Sequence, residues 1–195
     1  MSFSVAIGKP PANPLIETES GWSRLPGYDD SMPVTLKAVG IGLAMAAVVA
    51  LAWRLLVPEG LPLEAQPAKL SIVLAFLIPT IGHELCHLLL FPRLGLLDAT
   101  VGVWPKMGAL YVQYMRPVTR SRFIVATLAP TMLICLAPLL LGLWGMEVPP
   151  YLQWASVLNG VAVGADLLAV VQLLRHSSAK TLVLDSNHAL FLRKP

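Results

Sequence analysis

Charge is what this sequence has least of. Only 13% of its 195 residues are Asp, Glu, Lys or Arg, while 56% are apolar; an ordinary soluble domain carries about 25% charged residues. A chain so poor in charge cannot cover a water-facing surface, so its solvent is expected to be lipid. The formal charge of +3 is too small to point to a nucleic acid partner. Cysteine is scarce as well. Cys86 and Cys135 both fall within apolar runs, where thiols are packing residues more often than a disulfide. Neither an internal repeat nor a low-complexity tract is present. The opening stretch MSFSVAIGKPPANPLIETES lacks a basic start followed by an apolar core and a cleavage site. The first apolar segment is therefore expected to stay in place as a membrane helix.

Long apolar runs are what the chain does have. Residues 1–33 are polar and proline-rich and read as an N-terminal tail, with a surface-lying piece near Gly21–Tyr28. Four apolar segments follow, at Val34–Val57, Leu70–Phe91, Phe123–Leu143 and Leu152–Leu174. Each is long enough to cross roughly 30 Å of hydrocarbon at about 1.5 Å per residue. Residues 34–174 thus form a four-span membrane unit, and residues 175–195 a C-terminal tail. The connections differ in charge. Pro58–Ala68 carries Glu59 and Glu64 without a basic residue, and Trp144–Pro150 carries only Glu147. Pro92–Arg122 holds Arg93, Lys106, Arg116, Arg120 and Arg122, and the tail holds Arg175, Lys180, Arg193 and Lys194. Basic loops stay on the cytoplasmic side, so both termini and the central loop are expected there, in a plasma membrane. Within that loop, DATVGVW and GALYVQY alternate around a turn-like PKM and predict a β-hairpin, Ala99–Trp104 with Ala109–Tyr114. A second hairpin is expected in TLVLDSNHALFL. The fold class is an all-α integral membrane protein with four transmembrane helices and a small hairpin between the second and third.

The second span contains IPTIGHELCHLLLFP. On a helix, His83 and His87 share a face and both imidazoles can reach one ion. Glu84 sits one step round, placed to contact a water rather than to ligate. This is the H-E-x-x-H arrangement of zinc peptidases, two ligands and a general base. The bland alternative is a polar cluster satisfied by a neighbouring helix, but three ionisable groups buried without a partner would cost several kcal/mol. Cys86 reads as a packing residue. Pro79 and Pro130 each disrupt a helical hydrogen bond and could open a route for water, or be tolerated kinks.

A catalytic zinc takes a third protein ligand and leaves one place for water. The longer H-E-x-x-H-x-x-G-x-x-H form would need glycine at Leu90 and histidine at Arg93. Downstream, the only glutamate is Glu147, on the outer side, and His176 and His188 lie beyond the last span. That leaves Asp166 and, in reserve, Asp98. Asp166 is the sole charged residue of its span, and by helical rise both it and His83 lie about 12 Å from the cytoplasmic ends of their helices. Gly160 and Gly164 offer a small-residue face for close helix approach. Asn159 is two turns before Asp166, able to hold a peptide or orient a ligand.

HELCH in the second span, a hairpin-bearing loop, TLAP opening the third and N…GAD in the fourth resemble a family of membrane zincin peptidases of unknown function, over most of the chain from Val34 onward. The layout is more distantly similar to the site-2 intramembrane metalloproteases. The resemblance implies one Zn²⁺ on His83, His87 and Asp166, Glu84 as base, and Asn159 near the substrate. It also implies a sheet edge that holds an unwound substrate, a role open to Ala99–Tyr114. Here Asp166 is followed by Leu167 rather than by the usual glycine, no proline separates Asn159 from Asp166, and no peptide-binding domain is appended. The activity expected is hydrolysis of peptide bonds in membrane protein or peptide substrates. The competing readings are a non-enzymatic zinc-binding or regulatory membrane protein and a small ion transporter. No oligomeric state is legible.

Overall fold

A computed structural model describes residues 3–29, 31–58, 61, 69–92 and 97–194. Glu59, Glu64 and Arg93, which bear on the expected orientation, lie outside the described residues. Helix α1 is a single turn, Leu15–Thr18. Helix α2, Met32–Leu56, has Pro33 in its first turn, where a missing N–H costs nothing. Helices α3 (Lys69–Leu77) and α4 (His83–Leu90) are joined by a π-helical turn over Ile78–Gly82. Helices α5 (Arg120–Pro130) and α6 (Ala137–Leu143) are joined by another over Thr131–Leu136. Each π turn lies at a proline, Pro79 in the first and Pro130 beside the second. A ring that cannot donate to the preceding turn is absorbed by widening the ladder.

Three helical stretches, Met32–Leu56, Lys69–Leu90 and Arg120–Leu143, are long and apolar enough to cross a membrane. The fourth differs from the single span expected over Leu152–Leu174. It is two helices, α7 (Pro150–Ala162) and α8 (Gly164–His176), bent by 49° at Val163. The cause is close packing against α2. A Cβ on Gly160 would lie 2.6 Å from the Ala46 Cα, and one on Gly164 would lie 2.1 Å from the Ala38 carbonyl oxygen. Gly42 returns the contact, since a Cβ there would meet the Val161 oxygen at 2.3 Å. These glycines let the backbones of α2 and the α7–α8 break touch. Lower on the same interface, the Trp53 indole donates to Ser156 Oγ at 2.7 Å.

The fold is mainly helical but not all-α. Strands β3 (Ala99–Trp104) and β4 (Ala109–Tyr114) form the central hairpin, with Gly102 opposite Tyr111. The polar N-terminal segment, read from the sequence as a tail, is woven into both sheets. Strand β1, Ser4–Ile7, pairs parallel with β3, giving the order β1-β3-β4. Strand β2, Ser23–Arg24, joins β7 (Ala189–Arg193), β6 (Leu182–Ser186) and β5 (Val118–Thr119) in the order β2-β7-β6-β5. The β6–β7 loop, Asn187–His188, is left-handed at both residues, as a two-residue hairpin requires. Chain continuity puts both sheets at one end of the bundle, where α4 and α8 finish and α2 and α5 begin.

Two buried amides tie these pieces together. Asn13 Nδ2 donates to the Met115 carbonyl at 3.0 Å, and Gln113 Nε2 to the carbonyls of Pro11 and Asp185, each at 3.0 Å. An apolar cluster including Leu25, Leu88, Phe91, Tyr114, Phe123, Leu173 and Leu190 seals the sheets onto the helices. Its central contact is a stack of Phe91 on Tyr114 with ring centroids 4.7 Å apart.

Candidate metal centre

His83 and His87 open adjacent turns of α4, immediately after the π turn, and Asp166 lies in the first turn of α8, just past the α7–α8 break. The glycine-mediated contact of α2 with that break sets where α8 starts, and with it the level of Asp166. The structure brings the three side chains together. His83 Nε2 lies 3.2 Å from Asp166 Oδ2, His87 Nε2 lies 3.5 Å from the same oxygen, and the two Nε2 atoms are 3.1 Å apart. They form one cluster of potential metal ligands.

The partners of the other ring nitrogens decide what these atoms are. Asn159 Nδ2 donates to the Pro130 carbonyl at 3.0 Å and to Cys135 Sγ at 3.2 Å, so Asn159 turns its oxygen toward His83 Nδ1, 2.9 Å away. His87 Nδ1 lies 2.9 Å from the Ala126 carbonyl. Both Nδ1 atoms face acceptors, so in each neutral imidazole the proton sits on Nδ1 and Nε2 turns a lone pair toward the cluster. Two lone pairs and a carboxylate oxygen thus converge within 3.5 Å. Asp166 Oδ2 has no donor in reach. Three acceptors held edge to edge are stable only around a cation or a shared proton. The spacings also match the edge of a tetrahedron with ligand bonds of about 2.0–2.1 Å, roughly 3.3 Å. The residues present therefore fit a zinc ion.

Pro130 has a role invisible in the sequence. In an α-helix the Ala126 carbonyl would accept from the N–H of residue 130, but proline has none. The freed carbonyl takes the His87 N–H instead. Asn159, expected near the substrate or orienting a ligand, is hydrogen-bonded to His83. Its side chain is fully buried and committed to His83, Pro130 and Cys135, and such outer partners fix tautomer and ring orientation. Asp98, the reserve ligand, lies apart from the cluster and is ion-paired with Arg116, Nε to Oδ1 2.7 Å. Cys86 is a free, half-buried thiol outside the cluster.

The cluster opens into a cavity of about 420 Å³. Glu84 is on its wall, outside the ligand trio, where the backbone amide of Val112 also acts on it. Residues 108–113 of β4 and its turn form the facing wall, and Tyr28, Asp185 and His188 line it from the N-terminal segment and the β6–β7 hairpin. Burial pushes the Asp185 carboxyl up to about 7. Burial, reinforced by the negative charges of Asp166, Asp185 and Glu84, pushes the Tyr28 phenol well above the ordinary tyrosine range. Sequence reasoning missed Tyr28, Asp185, the Ala126 carbonyl and Cys135. Only the last two could have been sought, one turn before and one turn beyond a proline inside a span.

A helical scaffold with two imidazoles and a carboxylate poised for a divalent metal defines a metal-binding protein of the zincin kind. A family model described as "Putative zincin peptidase" matches residues 75–180, and the chain belongs to that family. Family membership points to a metallopeptidase and implies zinc. No curated protein and no solved structure matches the chain.

Proposed function

We propose that this protein is a membrane-embedded zinc metallopeptidase of the H-E-x-x-H type, with His83, His87 and Asp166 holding one Zn²⁺ and Glu84 as general base. The observation that carries this reading is the convergence of the Nε2 atoms of His83 and His87 and a carboxylate oxygen of Asp166 within 3.5 Å of one another. Bound there, zinc would polarise a peptide carbonyl and lower the pKa of water toward about 7. Glu84, outside the trio but on the same cavity wall, takes a proton as a water oxygen adds to the carbonyl carbon. It then delivers that proton to the departing amine nitrogen as the C–N bond breaks. Asn159 and the Ala126 carbonyl keep the two imidazoles in the ligating tautomer throughout.

The substrate is a peptide segment of a membrane protein. A helix cannot be cut while its amides are bonded internally, so the segment must be extended first. Strand β4 is the last strand of its sheet, and its residues 109–113 line the cavity beside Glu84. Backbone groups alternate sides along a strand. With Val112 directing its amide at Glu84, Leu110 and Tyr114 present theirs on the same edge. Strand addition along that edge would hold the substrate next to the base. The sheet end carries Arg116, Arg120, Arg122, Arg175 and Lys180 while the other holds Arg54, Lys69 and Glu147, a basic excess at the sheet end that supports cytoplasmic termini.

Full-length protein in nanodiscs tests the reading. Zinc should bind one per chain, and Glu84→Gln should abolish cleavage of casein while keeping the metal. Zinc retained with no cleavage by the wild type would favour a regulatory zinc protein, and zinc flux into sealed vesicles would favour a transporter.

A further inference from the structure

Tyr28 is held at the cavity wall by a chain of contacts running through the N-terminal segment. Strand β2 pairs with β7, and the Leu25 amide donates to the Leu190 carbonyl at 2.7 Å, burying Leu25 beneath the sheet. The backbone then turns at Gly27, which has a φ of +68° and sits so close to α8 that a Cβ would lie 3.1 Å from Gln172 Nε2. The left-handed backbone and this tight contact both favour glycine there. That turn drives Tyr28 inward against the apolar cluster and into the wall of the metal-site cavity.

The phenol is then surrounded by acids and joined to none of them. It feels the charges of Asp166, Asp185 and Glu84, yet among the described residues nothing accepts its hydrogen bond. It stays protonated, so it can only offer a hydrogen. The second tyrosine on the cavity wall, Tyr111, lies across Gly102 with its hydroxyl also lacking a hydrogen-bond partner among the described residues, but burial alone perturbs it and no acid acts on it. A hydroxyl on the cavity wall with no acceptor among the described residues has its hydrogen available to a bound molecule. In a cavity built for a peptide, its natural acceptor is the carbonyl oxygen that gains negative charge as water adds.

We infer that Tyr28 is a catalytic residue, its hydroxyl donating to the oxygen of the scissile carbonyl and stabilising the tetrahedral state. This rests on the peptidase reading and extends it to residue 28, outside the family-matched stretch 75–180. It makes the N-terminal segment part of the active site.

Tyr28→Phe removes one oxygen and keeps the ring that packs, so the fold should survive. The variant and wild type would be compared as zinc-loaded full-length protein in nanodiscs, by metal content, casein cleavage and calorimetric binding of two probes. One probe is a phosphinic tripeptide, whose tetrahedral phosphorus replaces the scissile carbonyl; the other is the corresponding amide. Loss of a single oxyanion donor lowers turnover by about 10²–10³-fold. The expected result is a fall in kcat of that order, a comparable loss of phosphinate affinity, and unchanged zinc content, KM and amide affinity. Equal phosphinate affinity in the two proteins overturns the assignment, as does a parallel loss for both probes or loss of zinc, which would mark a structural role. If the wild type binds zinc but neither cleaves casein nor discriminates the phosphinate from the amide, the peptidase reading falls, and this inference with it.

Discussion

Asp166 and Asp98 are both carboxylates withdrawn from bulk water, one on each side of the boundary between bundle and sheets, and the molecule answers them differently. Asp98 follows the end of α4 and meets a guanidinium, with Arg116 Nε 2.7 Å away. Its charge is neutralised locally, and the pair joins the two ends of the central hairpin beside the Met115–Asp98 backbone bond. Asp166 lies within the helices and meets two imidazole nitrogens whose protons have been directed elsewhere. A guanidinium closes a site by filling it; a pair of lone pairs holds one open for a cation. The difference between the two acids lies in their partners, and it is written in residues as distant as Asn159 and Pro130.

The largest effect should come from exchanging the two. Asp166→Ala is expected to reduce bound zinc from one per chain to none by metal analysis, whereas Asp98→Ala should keep its zinc and lose only hairpin order. If Asp98→Ala lost the metal and Asp166→Ala kept it, the assignment of ligand and structural acid would be reversed. Next in size is Glu84→Gln, which keeps all three ligands and should lower kcat by about 10²–10⁴-fold, the range for removing a general base. A smaller change tests how the site is kept open. Asn159→Ala deprives the His83 Nδ1–H of its acceptor and should weaken zinc binding by about 10–100-fold in a chelator competition. Pro130→Ala restores a backbone N–H that competes for the Ala126 carbonyl, so it should weaken zinc less than Asn159→Ala. Zinc affinity unchanged in Asn159→Ala would show that ligand tautomers need no outer support here.

Much of this was legible in the residues because its signals are local. Apolar runs locate helices, the alternation around Pro105–Met107 matches the observed hairpin register, and the four-residue spacing of His83 and His87 needs only helical geometry. Asp166 stood out as a lone charge at the depth of His83. The break at Val163 was not legible, because its cause is a carbonyl of α2 that presses on Gly164 from 126 positions earlier in the chain. Nor were the strands of the N-terminal segment. Four residues, Ser4–Ile7, pair with a strand nearly a hundred positions away, and no local pattern predicts a partner at that range. The same blindness hid Tyr28, whose chemistry comes entirely from acids on other elements.

A third acid sharpens the comparison through stability rather than metal binding. Asp185 lines the metal-site cavity with no ion pair among the described residues, and burial raises its pKa to about 7. The unfolded chain releases this proton near its ordinary value of about 3.9. Between that pH and about 7 the folded protein therefore holds a proton the unfolded chain has lost. Stability contributed by this group is complete below the lower value and falls as pH rises through the window, by at most about 1.4 kcal/mol per pH unit. Above the folded pKa the loss is complete and the curve flattens. Asp185→Asn cannot ionise, so its thermal midpoint in detergent should gain on the wild type steadily from pH 4 to 7 and hold that gain at pH 8. The difference between the two proteins cancels the titration of the shared histidines. Parallel curves would mean that Asp185 is solvated as an ordinary surface carboxylate, and that the cavity is wetter on its sheet side than at the imidazoles.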